Sequence, residues 1–89
     1  MLARLSLSLD RTRVRLGGRV NVSGLADPAT HVRLSLQLRS RHRWLTSRRR
    51  LIRVRESTYR AFVRPRGRGK YRVSAQVGRI VRRRTITVF

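Results

Sequence analysis

The sequence predicts an all-β protein, a sandwich of about seven to nine short antiparallel strands, because two patterns run through it. Apolar and polar residues alternate with a period of two from end to end, as in strands that bury one face and expose the other. Turn-forming residues separate these runs at intervals close to the ~8–12 residues typical of a sandwich. Two half-apolar sheets can bury their inner faces against each other, and the 89 residues make one such domain, residues 1–89.

The amino-terminal half contains the first predicted strands. Gly17-Gly18 and Asp27-Pro28 mark turns between them, because glycine and proline favour turn conformations. The run His31–Arg39 has the most regular alternation. The apolar faces of these strands consist of Leu5, Leu7 and Leu9; Val14 and Leu16; Val20 and Val22; and Val32, Leu34, Leu36 and Leu38.

The carboxy-terminal half begins with a less regular segment. Trp44, Thr46, Ile52 and Val54 keep one phase within Arg43–Arg55, but arginines at positions 48 and 50 interrupt it. This interruption predicts a bend or two short strands. Turn residues then separate three further runs, whose apolar residues are Tyr59, Ala61 and Val63; Tyr71, Val73, Ala75 and Val77; and Ile86 and Val88.

Basic residues dominate the composition. The chain has 24 basic residues, of which Lys70 is the one lysine, against three acidic residues, and its formal net charge is +21 at pH 7. Hydrophobic residues still make up 39% of the chain and are evenly spread, which favours a folded domain over a disordered basic tail. So large a positive charge favours anionic partners, and it destabilises the compact state by self-repulsion unless counterions or a polyanion relieve it.

The composition argues against several functional classes. Without cysteine the chain has no disulfide, no thiolate metal site and no cysteine nucleophile. The longest charge-free stretch, Val20–Ala26, is far shorter than the ~20 residues of a membrane-spanning helix. Three acids and two histidines, His31 and His42, offer neither a catalytic acid–base pair nor a full set of metal ligands. We therefore expect no enzymatic activity, no metal site and no cofactor.

Five motifs follow one another along nearly the whole chain: Val14–Gly24, with its Gly17-Gly18 turn; Val32–Leu38; Arg43-Trp44; Thr58–Pro65; and Gly69–Val73. In this order they resemble bacterial, actinobacterial-type immunoglobulin-like surface repeat domains. The resemblance implies an immunoglobulin-like antiparallel β-sandwich, in which the Tyr71 hydroxyl bonds the backbone near the preceding loop and Trp44 packs at the rim of the core. It also implies an extracellular or cell-surface protein with a structural or adhesive role.

The arginines have two explanations that the sequence leaves open. In one, a GC-rich genome supplies arginine codons and outward strand positions accumulate them. In the other, outward arginines on several strands, together with the triplets Arg48–Arg50 and Arg82–Arg84, form a surface that neutralises a polyanion, since a planar guanidinium can donate two hydrogen bonds to two phosphate oxygens. The residues predicted for such a surface are Arg48, Arg49, Arg50, Arg53, Arg55, Arg64, Arg66, Arg68, Lys70, Arg82, Arg83 and Arg84.

Two smaller features bear on nucleic-acid binding. The segment Arg64–Lys70 resembles an AT-hook, although Gly69 stands where the hook has a proline, and the same residues fit a loop between strands. Trp44 lies among arginines and either stacks a base or packs in the core. Because no recognition helix or zinc finger is visible, any nucleic-acid binding is expected to be directed to the phosphate backbone.

We expect a non-enzymatic structural or adhesive module whose arginine-rich surface engages an anionic partner within a larger assembly or at a cell surface. That partner is an anionic polymer, either envelope polymer or nucleic acid, or an acidic protein subunit. The alternative is a dedicated nucleic-acid-binding protein in which the predicted residues form one continuous surface. A dense stripe of charge favours the alternative, and a uniform coating favours the first reading. The edge segments Leu5–Leu9 and Arg84–Phe89 offer a route to oligomers, so removing Leu2–Leu9 is predicted to abolish them.

Overall fold

The computed structural model describes residues 4–89 of the chain, and these form nine strands and no helix. The strands lie in two sheets, one of four strands and one of five. Their bounds are β1 Arg4–Leu5, β2 Ser8–Leu9, β3 Arg13–Val14, β4 Val20–Asp27, β5 His31–Ser40, β6 Arg43–Arg53, β7 Thr58–Val63, β8 Gly69–Val77 and β9 Ile80–Val88.

The four-stranded sheet is built around β4. Strands β1 and β2 pair with it in one uninterrupted antiparallel register, since Leu5 lies opposite Ala26 and Leu9 opposite Val22, and β7 also pairs with β4 antiparallel. The break between β1 and β2 lies beside Gly24, whose α-carbon faces the Ser6 carbonyl so closely that a β-carbon there would collide with it. Glycine at this position therefore lets the first strand stay against the sheet.

The five-stranded sheet has the order β3-β9-β8-β5-β6. All its pairs are antiparallel except β3 with β9, which are parallel and place Val14 beside Val88. Together the two sheets form a β-sandwich. The predicted fold class and the predicted number of strands are confirmed, and the one parallel pair is an addition to the antiparallel arrangement.

The core lies between the sheets and consists mainly of the alternating apolar residues that the sequence singled out; Ala26 is an addition to it, and the prediction for Leu16, which is exposed, is wrong. Val20, Val32, Val73 and Ile86 are fully buried, and within residues 4–89 no polar or charged residue is buried. Each fully buried leucine or valine side chain contributes about 1.5–3 kcal/mol by leaving water. A domain with this much charge is therefore held together by apolar packing and by the sheet ladders.

Two tyrosines join the core to nearby backbone. The Tyr71 hydroxyl oxygen accepts a hydrogen bond from the Gly67 backbone N–H at 3.2 Å, which is the contact with the preceding loop that the resemblance implied. The Tyr59 hydroxyl donates to the Ser6 carbonyl oxygen at 2.6 Å. Burial raises the pKa of Tyr59 to about 12, with the nearby Arg84 charge acting in the opposite direction.

Strand β6 departs from the predicted phase. The segment is one continuous strand with a register shift opposite Leu36 and Gln37, where Leu36 pairs with Arg48 and Gln37 with Thr46. The additional residue reverses which side chains face the core. Trp44 consequently lies opposite Arg39 on the side of the sheet away from the core, and its expected packing at the core rim is wrong.

The predicted edge segments are partly covered. Leu5–Leu9 belongs to β1 and β2 at an edge of the four-stranded sheet, whereas Leu2, the start of the proposed truncation, lies outside the described residues. The last strand pairs with β8 along its whole length, and β3 covers Thr87 and Val88 on its other side. The segment left open on that side is therefore Ile80–Ile86.

Candidate polyanion-binding face

The outward side chains of the five-stranded sheet form a strongly basic surface, which we name the outer face. Directly opposed residues on paired strands point to the same side of a sheet, and the buried residues Leu34, Val73 and Ile86 fix the side of the core. Within residues 4–89 the outer face carries no acidic side chain and eight basic ones: Arg13, Arg33, Arg39, Arg49, Arg53, Lys70, Arg72 and Arg83.

Arg49 and Arg83 lie at the two ends of a row that crosses four strands. Ser35 lies opposite Arg49 on one side and opposite Ser74 on the other, and Ser74 lies opposite Arg83. Neighbouring strands are about 4.8 Å apart, so three spacings separate the α-carbons of the two arginines by roughly 14 Å. Small hydroxyl side chains therefore fill the middle of the row, and guanidinium groups stand at both ends.

A groove of about 640 Å³ follows this row across the sheet. Arg33 and Arg50 also line it, and the amides of Gln37 and Gln76 lie along it. Within the described range, the arginines whose side chains donate to protein acceptors are Arg39, Arg50, Arg72, Arg82 and Arg84. Arg33, Arg49 and Arg83 are not among them, so their guanidinium groups are free to donate to an anion.

A second feature of the outer face is the corner formed by Trp44, Arg39 and Arg72. The guanidinium carbon of Arg72 lies 4.5 Å from the centre of the indole ring, and that of Arg39 lies 5.8 Å from it. Arg72 Nε donates to the Gln37 side-chain oxygen at 2.7 Å, which fixes the guanidinium against the ring. Trp44 itself is half-buried, so part of the ring remains accessible.

The electrostatics of the outer face affect Arg72. Partial burial lowers the pKa of Arg72 below its ordinary value, and the positive charge of Arg83 lowers it further. Both causes penalise the charged guanidinium. An anion placed on this face would relieve the repulsion between these cations.

The other sheet presents a different surface to solvent. Its outward side chains include Asp10 and Asp27 among the three acids of the chain, together with Arg4 and Arg60. Asp10 accepts hydrogen bonds from the backbone and side-chain nitrogens of Asn21 at 2.9 and 2.8 Å, and these bonds hold its pKa below the ordinary value. Of the two sheets, the five-stranded one therefore has the more basic outward face, while the other sixteen of the 24 basic residues lie at edges, in turns and loops, and on the four-stranded sheet.

Four of the residues predicted for a polyanion surface lie on the outer face. They are Arg49, Arg53, Lys70 and Arg83. Arg49 and Arg83 come from different arginine triplets, and the fold brings them into one row. The middle residue of each triplet thus lies in the row, and Arg50 of the first triplet also lines the groove.

The flanking residues of the first triplet lie elsewhere. Arg48 and Arg50 are opposite Leu36 and Leu34, on the core side of β6. Together with Arg64 they line a separate crevice of about 270 Å³ at the open edge of the sandwich. Arg50 Nη1 donates to the Phe62 carbonyl oxygen at 3.4 Å, so these arginines cover the edge of the core with their aliphatic stems.

The remaining predicted residues lie on other parts of the surface. Arg82 and Arg84 are on the core side of β9, and Arg82 Nε donates to the Leu5 carbonyl oxygen at 3.1 Å. Arg55 lies in the turn between β6 and β7, where it pairs with Thr58. Arg66 and Arg68 lie in the loop between β7 and β8, so the segment that resembles an AT-hook is a loop. The predicted residues do not form one continuous surface.

The sequence reasoning missed four residues of the outer face. Arg13, Arg33, Arg39 and Arg72 each lie next to an apolar residue, outside the two arginine triplets, and they were not among the residues predicted for the surface. The signal was present, because each alternates with apolar residues of a predicted strand and must face away from the core. Alternation is therefore a better guide to this surface than local arginine density.

The histidines and acids are dispersed. His31 lies at the end of β5, with Nδ1 3.1 Å from Thr30 Oγ1, and His42 lies in the turn after β5. The described residues contain no group of three or more histidine or acidic side chains placed to hold a metal ion, and no helix among them has the length and apolarity to cross a membrane.

Comparison with known proteins leaves the fold as the only classification. No protein-family model matches the chain, and no curated protein matches it significantly.

Proposed function

We propose that this protein is a non-enzymatic module that binds an anionic polymer through the outer face of its five-stranded sheet. The observation that supports the proposal most strongly is the concentration of eight basic side chains on one sheet face that carries no acid within the described residues. The sandwich supplies a rigid support for these side chains. As the resemblance to surface repeats implies, we propose that the module is a structural or adhesive component of a larger assembly or of a cell surface.

The charge balance of the fold supports this proposal. Among residues 4–89 one ion pair is formed, between Arg11 and Asp10 at 3.8 Å, and it lies away from the outer face. The cations of the outer face therefore repel one another without internal compensation. Binding a polyanion would replace this repulsion with attraction and would release condensed counterions from the polymer.

Arginine suits such a partner better than lysine does. Its planar guanidinium forms paired hydrogen bonds with phosphate or sulfate oxygens, and its five donors are not all satisfied by one acceptor. Arg49 and Arg83 flank a floor of serine hydroxyls, which are additional donors to the same oxygens. Recognition of this kind is directed to the charged backbone of a polymer and reads no sequence.

The proposal is tested by removing the two arginines at the ends of the row. The variant Arg49→Gln/Arg83→Gln is compared with Arg4→Gln/Arg60→Gln, which removes the same charge from the outward side of the other sheet. Binding to labelled oligodeoxythymidylate is measured across a salt series, with unlabelled heparin as a competitor. We expect the first variant to lower the log–log salt slope by roughly 0.7 for each phosphate that the protein no longer neutralises, and the second to leave it near the wild-type value.

Equal losses in the two variants would contradict the proposal, because they would show that only net charge matters. Weak binding by the wild type to both polymers at low salt would contradict it as well. Thermal unfolding of both variants serves as the folding control.

A further inference from the structure

We infer that the anionic polymer is a single-stranded nucleic acid, which stacks an unpaired base at the Trp44 corner while its phosphates lie along the arginine row. This inference rests on the proposed function and deepens it by naming the polymer. It is supported by the position of Trp44, by the polar groups beside it and by the shape of the face.

Trp44 points away from the core, so core packing does not explain an apolar residue at this position. Its ring is absent from the buried cluster and projects from the same side of the sheet as Arg39 and Arg72. The indole is half-buried, with the guanidinium groups of Arg72 and Arg39 over it, and the part of the ring that stays accessible offers a flat surface on which a base can stack beside those guanidinium planes. A polymer bound through charge alone would need no aromatic ring at this place.

The geometry connects the ring to the arginine row. Arg72 lies two residues before Ser74 on β8, a distance of about 7 Å along a strand. Ser74 belongs to the row that ends at Arg49 and Arg83. A nucleotide whose base contacts Trp44 can therefore direct its backbone toward the guanidinium groups of the row.

The groove floor favours an unpaired strand over a duplex. The Gln37 side-chain oxygen accepts from Arg72 and the Gln76 side-chain nitrogen donates to the Gly78 carbonyl oxygen, which leaves the Gln37 amide N–H groups and the Gln76 amide oxygen for the hydrogen-bonding edges of exposed bases. In a duplex those edges are paired and the base faces are stacked on one another, so the indole could not contact a base. The described residues also contain no helix that would enter the major groove of DNA.

The single tryptophan of the chain makes the stacking contact directly measurable. Intrinsic fluorescence is followed while wild-type protein is titrated with oligodeoxythymidylate, with the matched duplex and with heparin at equal fractional saturation. The fraction of protein that is bound is determined independently, from the fluorescence anisotropy of a labelled probe or from displacement of that probe by the unlabelled ligand. We expect strong quenching with the single strand and little quenching with the duplex or heparin, because only an unpaired base stacks on the ring.

Three variants complete the test. Trp44→Ala is expected to weaken binding of the single strand by about 5- to 150-fold and to leave heparin binding within about twofold, since it removes the stacking of one base. Trp44→Phe, which keeps an aromatic ring, is expected to restore most of the affinity. Leu25→Ala removes an exposed apolar side chain from the outward side of β4 and should change neither ligand's affinity.

The outcomes separate the two proposals. Tight binding of oligonucleotide and heparin that depends on Arg49 and Arg83, without quenching and without an effect of Trp44→Ala, would overturn the nucleic-acid inference and leave polyanion binding standing. Quenching by heparin equal to that by the single strand would overturn it too. Loss of all dependence on Arg49 and Arg83 would overturn the proposed function itself.

Discussion

Replacing Ser74 with glutamate should stabilise the folded protein and weaken its binding to polyanions. Ser74 lies in the arginine row, directly opposite Arg83 and beside Ser35, and it is half-buried. A carboxylate there meets the guanidinium groups that we assign to the anionic polymer. Opposite signs for the two effects distinguish a binding surface from a surface whose charges are arranged for stability.

The magnitudes follow from the register. Directly opposed residues on antiparallel strands have β-carbons about 4.5–5.5 Å apart, and an opposite-charge pair there contributes about 0.2–1 kcal/mol. Arg33 lies at a diagonal position on β5 and Arg72 two residues away on β8, so both add to the attraction. We expect a gain of about 0.5–1 kcal/mol, which corresponds to an increase in Tm of roughly 2–8 °C for a domain of this size.

The loss of binding is estimated from the same position. A bound phosphate about 5 Å from the introduced carboxylate is repelled by roughly 1 kcal/mol in water and by roughly 3 kcal/mol at an effective dielectric constant of 20. The affinity for oligodeoxythymidylate at low salt should therefore fall by about fivefold to somewhat more than a hundredfold. Both effects should decrease as salt is added, because mobile ions screen the charges involved.

The matched control is Ser23→Glu on β4. Ser23 also has an arginine opposite it, Arg60, but it faces outward on the other sheet and has Asp10 at a diagonal position. Thermal unfolding and a fluorescence anisotropy titration are performed on both variants at two salt concentrations. The control has the same net charge, so we expect it to retain nearly wild-type affinity. A Ser74→Glu protein that binds as tightly as the control, or that melts below the wild type, would refute the assignment of the row.

Two further predictions concern stability. Tyr59→Phe removes the hydrogen bond to the Ser6 carbonyl and should cost about 0.5–1.5 kcal/mol in a denaturant titration. The raised pKa of Tyr59 favours the neutral phenol in the folded state, so wild-type stability should be intact below pH 10 and should fall as pH rises toward 12, a loss that the variant should lack. If both proteins lose stability equally over that range, the phenol is not its cause. Asp10 has a lowered pKa because Asn21 donates to its carboxylate, so its contribution should be present above about pH 4 and disappear as the pH falls further. The Tm of Asp10→Asn should therefore vary less than that of the wild type between pH 7 and pH 2, and an equal variation would contradict this role.

The fold was predictable because alternation is a strong signal when one face of every strand is buried. The run His31–Arg39 matches β5 within one residue at its end, and the alternating positions of β8 face the core as expected. The predicted tyrosine contact also occurs, since Tyr71 is fixed by the core and its hydroxyl reaches the loop that precedes it. These features depend on local pattern and on burial, both of which are encoded in consecutive residues.

The binding face was only partly predictable because it depends on which strands become neighbours. Arg49 and Arg83 are 34 positions apart in the sequence, and only the order of β6, β5, β8 and β9 places them in one row. The prediction for Trp44 failed for a different reason. The register shift near Arg48 reverses the side to which β6 residues point, and a pattern with one interruption does not reveal where the additional residue lies.

The central claim is that one face of one sheet binds the polymer, and the most direct measurement is a residue-resolved NMR titration of the labelled wild-type protein with oligodeoxythymidylate. The account predicts that the largest changes occur in the backbone amides of β5 and β8 and in the Nε–H signals of Arg33, Arg49 and Arg83, while Ser23 and Arg60 on the other sheet change little. Changes of equal size on both sheets, or changes confined to the loop that contains Arg66 and Arg68, would contradict it.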